Sequence, residues 1–353
     1  MNDRTDIDLG PLRTLTRRWA RTKGHAGDEA TFTAMPGGAS TRRYFRVRIE
    51  GGDSAVAMFV PDASKADEID KSGARTRWPF LEVHELLRQR NIDVPALFGE
   101  DCASGFLILE DLGDDTLANY LTKHEASRTS LYTRAVTDLA KAQRNLATLD
   151  PHSIVACRAF DEDLLRLEID HFREWGIEAR GLALRPADRA AFDGIAERLA
   201  RRIASWPRGF THRDYQSRNL MVRPAETLVW IDFQDALLGP RVYDLVALLN
   251  DSYQEFDRAF VEARIHDFAD EARLGDTERR ELLREFDLVT VQRKLKDAGR
   301  FVYVDRVKNN PSFLGYVEPT IKKARAAMAR LADSDPDMAA LGALLDRVLV
   351  GPS

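Results

Sequence analysis

Three oxygen-bearing side chains crowd one short region of this 353-residue chain. Asp214 and Asn219 lie within "THRDYQSRNLMV", and Asp232 closes the apolar run that begins "TLVWI". A carboxylate set among hydrophobic neighbours is costly unless something compensates it. Such groups either cap turns, as Asp often does, or hold a cation and a reacting proton. Carboxylate and amide oxygens suit a hard divalent cation such as magnesium, which leaves the remaining carboxylate to accept a proton. Taken singly, each residue reads as a turn or a strand end. Taken in order, and followed by Asp244, the set points to chemistry.

The elements around them fall into two kinds. Ahead of residue 113, strand signals dominate after a short amphipathic start carrying Leu12, Leu15 and Trp19. Phe45, Val47 and Ile49 alternate with Arg46, Arg48 and Glu50, the period of a half-buried strand. "SAVAMFV" follows the turn "GGD", so the two strands form a hairpin. "WPFLEVHELLRQR" reads as a helix with Pro79 in its first turn, and "GFLILEDLGDD" as one more strand. Beyond Gly113 the period becomes helical: Leu131, Ala135, Leu139, Ala142 and Leu146 mark one helix, and Phe192, Ile195, Leu199 and Ile203 another. The expected division is a small β-rich lobe over 1–112 and a larger helical lobe over 113–353. A cleft between two lobes is a favoured place for a ligand.

Composition narrows the function classes. A hydrophobic content of 44%, a charged content of 31% and a net charge of -5 describe a globular protein without the basic balance of a nucleic-acid binder. Cys102 and Cys157 sit far apart with no Cys or His at ligand spacing, so neither a disulfide framework nor a zinc site is expected. "MNDRTDIDLG" lacks the apolar centre of a signal peptide, and no run is long enough to span a bilayer. The expected setting is the cytoplasm, without a membrane. Oligomeric state cannot be read from the sequence.

His212-Arg213-Asp214 followed by Asn219 fits the catalytic-loop pattern H-R-D-x-x-x-x-N. With Asp232 at a strand end and "GPRVYDL" running to Asp244-Leu245, the chain resembles the bilobal, α+β protein-kinase-like fold. It is most similar to the aminoglycoside phosphotransferase family of small-molecule kinases. There is no A-P-E segment between Asp232 and Asp244, which favours a small acceptor over a protein. The resemblance implies ATP and Mg2+. Asp214 would be the catalytic base, a role worth roughly 10²–10⁴-fold in rate; Asn219 and Asp232 would hold the metal. Asp244 would support the catalytic loop by accepting its backbone N–H groups.

"MPGGASTRRYF" is a glycine- and hydroxyl-rich turn, able to offer Gly37, Gly38, Ser40, Thr41 and Arg43 to phosphates. "FLILEDLG" resembles the family's connector, which would set the carbonyl of Glu110 and the N–H of Leu112 against an adenine edge. One position departs from the kinase pattern V-A-I-K: Met58 stands where lysine would pair with a helix glutamate, here Glu82 or Glu85. Lys65 and Lys71 lie past the strand, so Arg42 or Arg43 is the expected replacement cation.

"THRDYQSRNLMV", "IDFQDALLGPRVYDLVALLNDSY" and "VQRKLKDAGRF" resemble the subfamily that phosphorylates the anomeric hydroxyl of N-acetylmuramate and N-acetylglucosamine in cell-wall recycling. That subfamily also tends to carry Met at the lysine position. Gln216, Arg218 and Arg293 are the candidate acceptor contacts, with Arg293 offered to the lactyl carboxylate. "QRKLKD" itself reads as a solvated helix face. The alternatives are another hydroxyl acceptor of aminoglycoside, choline or homoserine type, and a pseudokinase that only binds nucleotide.

Overall fold

A run of strands and one crossing helix comes first, and helices take over after residue 113, as the change of hydrophobic period predicts. The structure, a computed structural model, describes residues 7–36, 42–61 and 78–349. Helix α1 (Gly10–Thr22) precedes β1 (Thr31–Ala34), β2 (Arg43–Arg48), β3 (Ser54–Phe59), α2 (Pro79–Gln89), β4 (Leu97–Asp101) and β5 (Phe106–Glu110). The strands form one antiparallel sheet in the order β1-β2-β3-β5-β4. The predicted hairpin is β2–β3, with Phe45 opposite Ala57 and Val47 opposite Ala55.

"FLILE" is apolar almost throughout because both faces of β5 are covered. Phe106 and Ile108 join the cluster under α1 with Leu12, Leu15 and Trp19; Leu107 and Leu109 join Phe80, Val83 and Leu87 of α2. The edge strands β1 and β4 escaped the sequence reading. β1 is only four residues long, and β4, "LFGED", carries a register shift between Leu97 and Gly99.

Beyond the connector, α3 (Leu117–Leu121), α4 (Arg128–Asn145), α5 (Glu162–His171) and α6 (Pro186–Ala204) lead to β6 (Arg208–Thr211), β7 (Leu220–Arg223), β8 (Thr227–Trp230) and β9 (Leu237–Pro240). β6 pairs with β9 and β7 with β8, both antiparallel. The remaining helices are α7 (Tyr243–Leu249), α8 (Arg258–Glu271), α9 (Asp276–Lys308), α10 (Val317–Leu331) and α11 (Pro336–Leu349). α8 buries Val261, Ile265, Phe268 and Ala269.

α9 overturns an expectation. The stretch "QRKLKD" is not a solvated face: Gln292, Arg293, Lys294 and Leu295 are all buried. The helix runs through the middle of the lobe, against α5, α7 and α10. At Gly299 the packing is tight, since a Cβ there would meet the His171 carbonyl oxygen at 2.6 Å. Among the described residues no helix is long and apolar enough to cross a membrane.

Candidate active site

The loop between β6 and β7 carries most of the chemistry, and its shape is imposed from below. Asp244, fully buried in the first turn of α7, accepts the backbone N–H of His212 at 2.6 Å and of Arg213 at 3.0 Å. The resemblance gives Asp244 the task of supporting this loop, and these two bonds are the ones such a task would use. Arg213 has φ +78°, a left-handed conformation that costs a non-glycine residue about 1–3 kcal/mol and persists where its surroundings fix it. Burial pushes the Asp244 carboxyl up to about 7, against the pull of its two backbone donors and of Arg293.

His212 bridges the loop to the strand that delivers Asp232. Its Nε2 lies 3.1 Å from the Ile231 carbonyl oxygen, and the Asp214 N–H donates to Nδ1 at 3.3 Å. Only a neutral ring protonated at Nε2 makes both bonds. Burial pushes the imidazole down to about 4, in keeping with that state. Neither role is visible in the sequence.

Asn219 faces Asp214 through its amide: Nδ2 donates to the Asp214 carbonyl oxygen at 2.8 Å, which leaves Oδ1 for another partner. The Asn219 carbonyl accepts the Ile231 N–H at 3.0 Å, so the loop is tied directly to the residue before Asp232. Asp232, with φ +62°, turns out of the strand direction and accepts from the Gln234 side chain at 3.0 Å. Its side chain keeps 41% exposure.

The two carboxylates are shifted in opposite senses. Desolvation, and then the charge of Asp214, push Asp232 up. Burial would also raise Asp214, but Arg293, Lys296 and Arg213 outweigh it and hold the group below its ordinary value. Asp214 is thus a stabilised anion, while Asp232 is a carboxylate that a cation would relieve. Among the described residues no three His, Cys, Asp or Glu side chains are grouped to hold a metal alone. One carboxylate and one amide oxygen fit magnesium, which takes its other ligands from water and phosphate.

Arg293, expected to meet an acceptor's carboxylate, is buried and lies against Asp214. It is 2% exposed; Nη1 donates to the Arg213 carbonyl at 2.7 Å and Nη2 approaches Asp214 Oδ1 at 3.4 Å. Nε lies 3.8 Å from Asp297, and the guanidinium stacks 4.8 Å from the Tyr243 ring centroid. Its charge is met by Asp214 and the Tyr243 ring, both distant in sequence, as well as by Asp297 one turn along, and the distant partners are invisible to a local reading. Asp297 also accepts from Lys294 at 2.7 Å and Lys296 at 3.1 Å. Burial opposes the ionised form, but these cations hold Asp297 far below the usual carboxylate range.

The other acceptor candidates lie on the same loop. Gln216 is half-buried, and its backbone N–H donates to the Asp214 carbonyl at 2.9 Å. Ser217 is fixed by buried Asp251, which accepts its N–H at 3.0 Å and its hydroxyl at 2.5 Å. Exposed Arg218 stacks its guanidinium 3.5 Å from the centroid of Tyr253. Tyr253, Tyr316, Phe301 and Phe313 form an aromatic group there, with Phe301 and Phe313 stacked at 5.8 Å.

From the small lobe, Arg42 rather than Arg43 reaches Asp232. Arg42 Nη1 donates to Asp232 Oδ1 at 3.3 Å, whereas Arg43 opens β2 opposite Phe59 and is exposed. The neighbouring Tyr44 hydroxyl is pushed up to about 12 by burial and by the charge of Asp232. Gly37, Gly38, Ser40, Thr41, Lys65 and Lys71 lie outside the described residues. Met58 is 1% exposed within the apolar cluster of α2. Glu82, one of the two glutamates expected to partner a lysine there, accepts the Ile154 N–H at 2.6 Å. Glu110 closes β5; its carboxylate accepts the Ala96 N–H at 3.0 Å and pairs with Arg223 at 2.5 Å. Leu112 follows in the connector, half-buried. Arg46 clamps that connector through Asp111 at 2.9 Å and Asp114 at 2.8 Å, a brace the sequence did not reveal.

The profile of the Phosphotransferase enzyme family matches residues 31–283. An N-acetylmuramate/N-acetylglucosamine kinase of Pseudomonas aeruginosa is 33% identical over 317 residues, covering 87% of this chain and 85% of that one. Among solved structures, a Plasmodium vivax ethanolamine kinase superposes with a TM-score of 0.59 at 14% identity, over 84% of this chain and 83% of its own. An ADP-bound aminoglycoside phosphotransferase superposes with a TM-score of 0.53 at 16% identity, over 83% and 92%. At such identities the structural likeness speaks for the fold alone, a bilobal protein-kinase-like α+β architecture.

Proposed function

The chain belongs to the phosphotransferase enzyme family, and from that premise we propose that it is an ATP- and magnesium-dependent kinase acting on the anomeric hydroxyl of N-acetylmuramate and N-acetylglucosamine. The observation that carries the catalytic half is the meeting of Asp214, Asn219 and Asp232, with Asp214 held anionic and Asp232 pushed up beside it. The acceptor half rests on kinship with kinases of that name over most of the chain.

Each group has one task. Asp214 accepts the proton of the acceptor hydroxyl and orients its oxygen toward the γ-phosphorus. As the new O–P bond forms, the bond to the β-phosphate bridging oxygen breaks and ADP leaves. A hemiacetal hydroxyl is more acidic than an ordinary alcohol, so a carboxylate base suffices. Asn219 and Asp232 would hold magnesium, which would supply positive charge against the phosphate oxygens. Arg42 stands where it can turn from Asp232 to those phosphates, a cation in place of the lysine that Met58 displaces. Glu110 and Leu112 offer backbone groups of the connector to adenine. Arg293 and Asp244 keep the base in position without touching the sugar.

The test is ADP release with a panel holding both amino sugars, an aminoglycoside, choline and homoserine, with the product mass measured directly. Turnover of a sugar to its 1-phosphate, lost by about 10²–10⁴-fold in Asp214→Asn with ATP binding kept, is the expected result. Turnover of an amino alcohol but neither sugar overturns the acceptor. No turnover at all, while ATP still raises the melting temperature, leaves a nucleotide-binding pseudokinase, the outcome that an apolar Met58 would otherwise suggest.

A further inference from the structure

The two proposed acceptors differ by one group: N-acetylmuramate carries a lactyl ether whose carboxylate N-acetylglucosamine lacks. With Arg293 buried behind the base, that anion needs another cation. Arg218 has the required geometry. Most arginines of the lobe are spent on carboxylates: Arg213 on Glu168, Arg241 on Glu278 and Glu285, Arg258 on Glu262 and Asp287. Arg218, in contrast, makes no ion pair among the described residues. Its one side-chain hydrogen bond is a long one, 3.4 Å from Nη2 to the Tyr316 hydroxyl.

The head group is nevertheless held in place. The residue before it is anchored to Asp251 and the residue after it to the Asp214 carbonyl. Its flat face lies on Tyr253, which orders the guanidinium while leaving N–H edges available in the plane. Ser252, beside Tyr253, lies 3.3 Å from Lys294 Nζ, Lys294 pairs with Asp297, and Asp297 adjoins Arg293, which also approaches Asp214 at 3.4 Å. Arg218 and the base therefore belong to one continuous wall of the same lobe.

Resting on the function proposed above, we infer that Arg218, set on its Tyr253 platform, binds the lactyl carboxylate and so sets preference between the two amino sugars. A planar guanidinium accepts a carboxylate through paired N–H bonds, which lysine cannot reproduce.

The experiment compares kcat/KM for N-acetylmuramate and N-acetylglucosamine in the wild-type chain, Arg218→Gln and Arg218→Lys. The ratio of the two values should fall about 10- to 100-fold in Arg218→Gln, the factor for one charge-assisted contact, with the change carried mainly by KM for N-acetylmuramate. Arg218→Lys should recover part of it. An unchanged ratio, or an equal loss with both sugars, overturns the assignment and makes Arg218 a structural residue. The lactamide analogue of N-acetylmuramate removes the anion from the substrate instead, so the test survives a variant that does not fold. In the wild-type chain the analogue should lose the same factor, and its turnover at the rate of N-acetylmuramate would likewise overturn the proposal. A wild-type chain that phosphorylates neither sugar sinks the function itself, a result distinguishable because it precedes any variant.

Discussion

Arg293→Met tests the geometry of the base most directly. The arginine is 2% exposed and touches the Arg213 carbonyl, Asp214, Asp297 and the Tyr243 ring. Methionine fills much of the volume but carries no charge and donates nothing. Asp297 would keep Lys294 and Lys296, whereas Asp214 would lose the first of the cations that hold it down. Unit charges at the 3.4 Å separation attract by about 5 kcal/mol at an effective dielectric of 20, before desolvation is subtracted. Removing one partner of a buried pair costs about 3–5 kcal/mol in practice. Urea unfolding at neutral pH should show that loss. A carboxyl held down in the fold contributes stability above its unfolded pKa and loses it as pH falls through the folded one. Without Arg293 this contribution shrinks, the Asp214 pKa rises, and the acid limb of kcat/KM moves to higher pH. A stability change below about 1 kcal/mol, far short of that range, together with an unmoved acid limb, would refute the support role.

Three further outcomes follow from the same geometry. Arg42→Ala should raise the Michaelis constant for ATP about tenfold, the low end for a contact to a charged group; an unchanged constant dismisses Arg42 as the phosphate cation. Met58→Lys should not improve ATP affinity and should cost about 3 kcal/mol or more in urea unfolding, because it buries a charge among apolar side chains while Glu82 is committed to Ile154; a tighter Kd for ATP would show that the lysine site is still open. His212 is neutral in the fold, with its pKa near 4 against an ordinary 6.5, so the unfolded chain takes up a proton first as pH falls. Stability should therefore decline from about pH 6.5 to about pH 4 by up to about 1.4 kcal/mol per pH unit. Asp244, raised to about 7, acts in the opposite sense, so the His212 share is read as the difference from His212→Gln, and parallel pH curves would reject it.

What the sequence disclosed was local. The H-R-D-x-x-x-x-N spacing, the aspartate after "TLVWI", the β2–β3 hairpin and the helical periods of α4 and α6 depend on residues near one another, and each is in place. What it concealed was made by distant partners. Arg42 meets Asp232 across 190 positions, Arg46 braces the connector, and Asp251 fixes Ser217. α9 misled most, because a helix buried along its middle and bearing Arg293 and Lys294 imitates a solvated one until distant Asp214 and the packing of α5, α7 and α10 against it are known.

Met58 reads differently once these partners are seen. A lysine at that position would place a charge where the sheet and α2 now share an apolar cluster, which Met58 fills instead. Glu82 accepts the Ile154 N–H, joining α2 to the segment between α4 and α5. A decayed site would leave such a glutamate without an equivalent task and would not keep the carboxylates in register. Here Glu82 is re-employed, Asp214 and Asp232 retain opposite shifts, and Arg42 reaches the cleft from the same small lobe that lost its lysine. On the function proposed above, the departure from the kinase pattern is a relocated cation rather than a lost one.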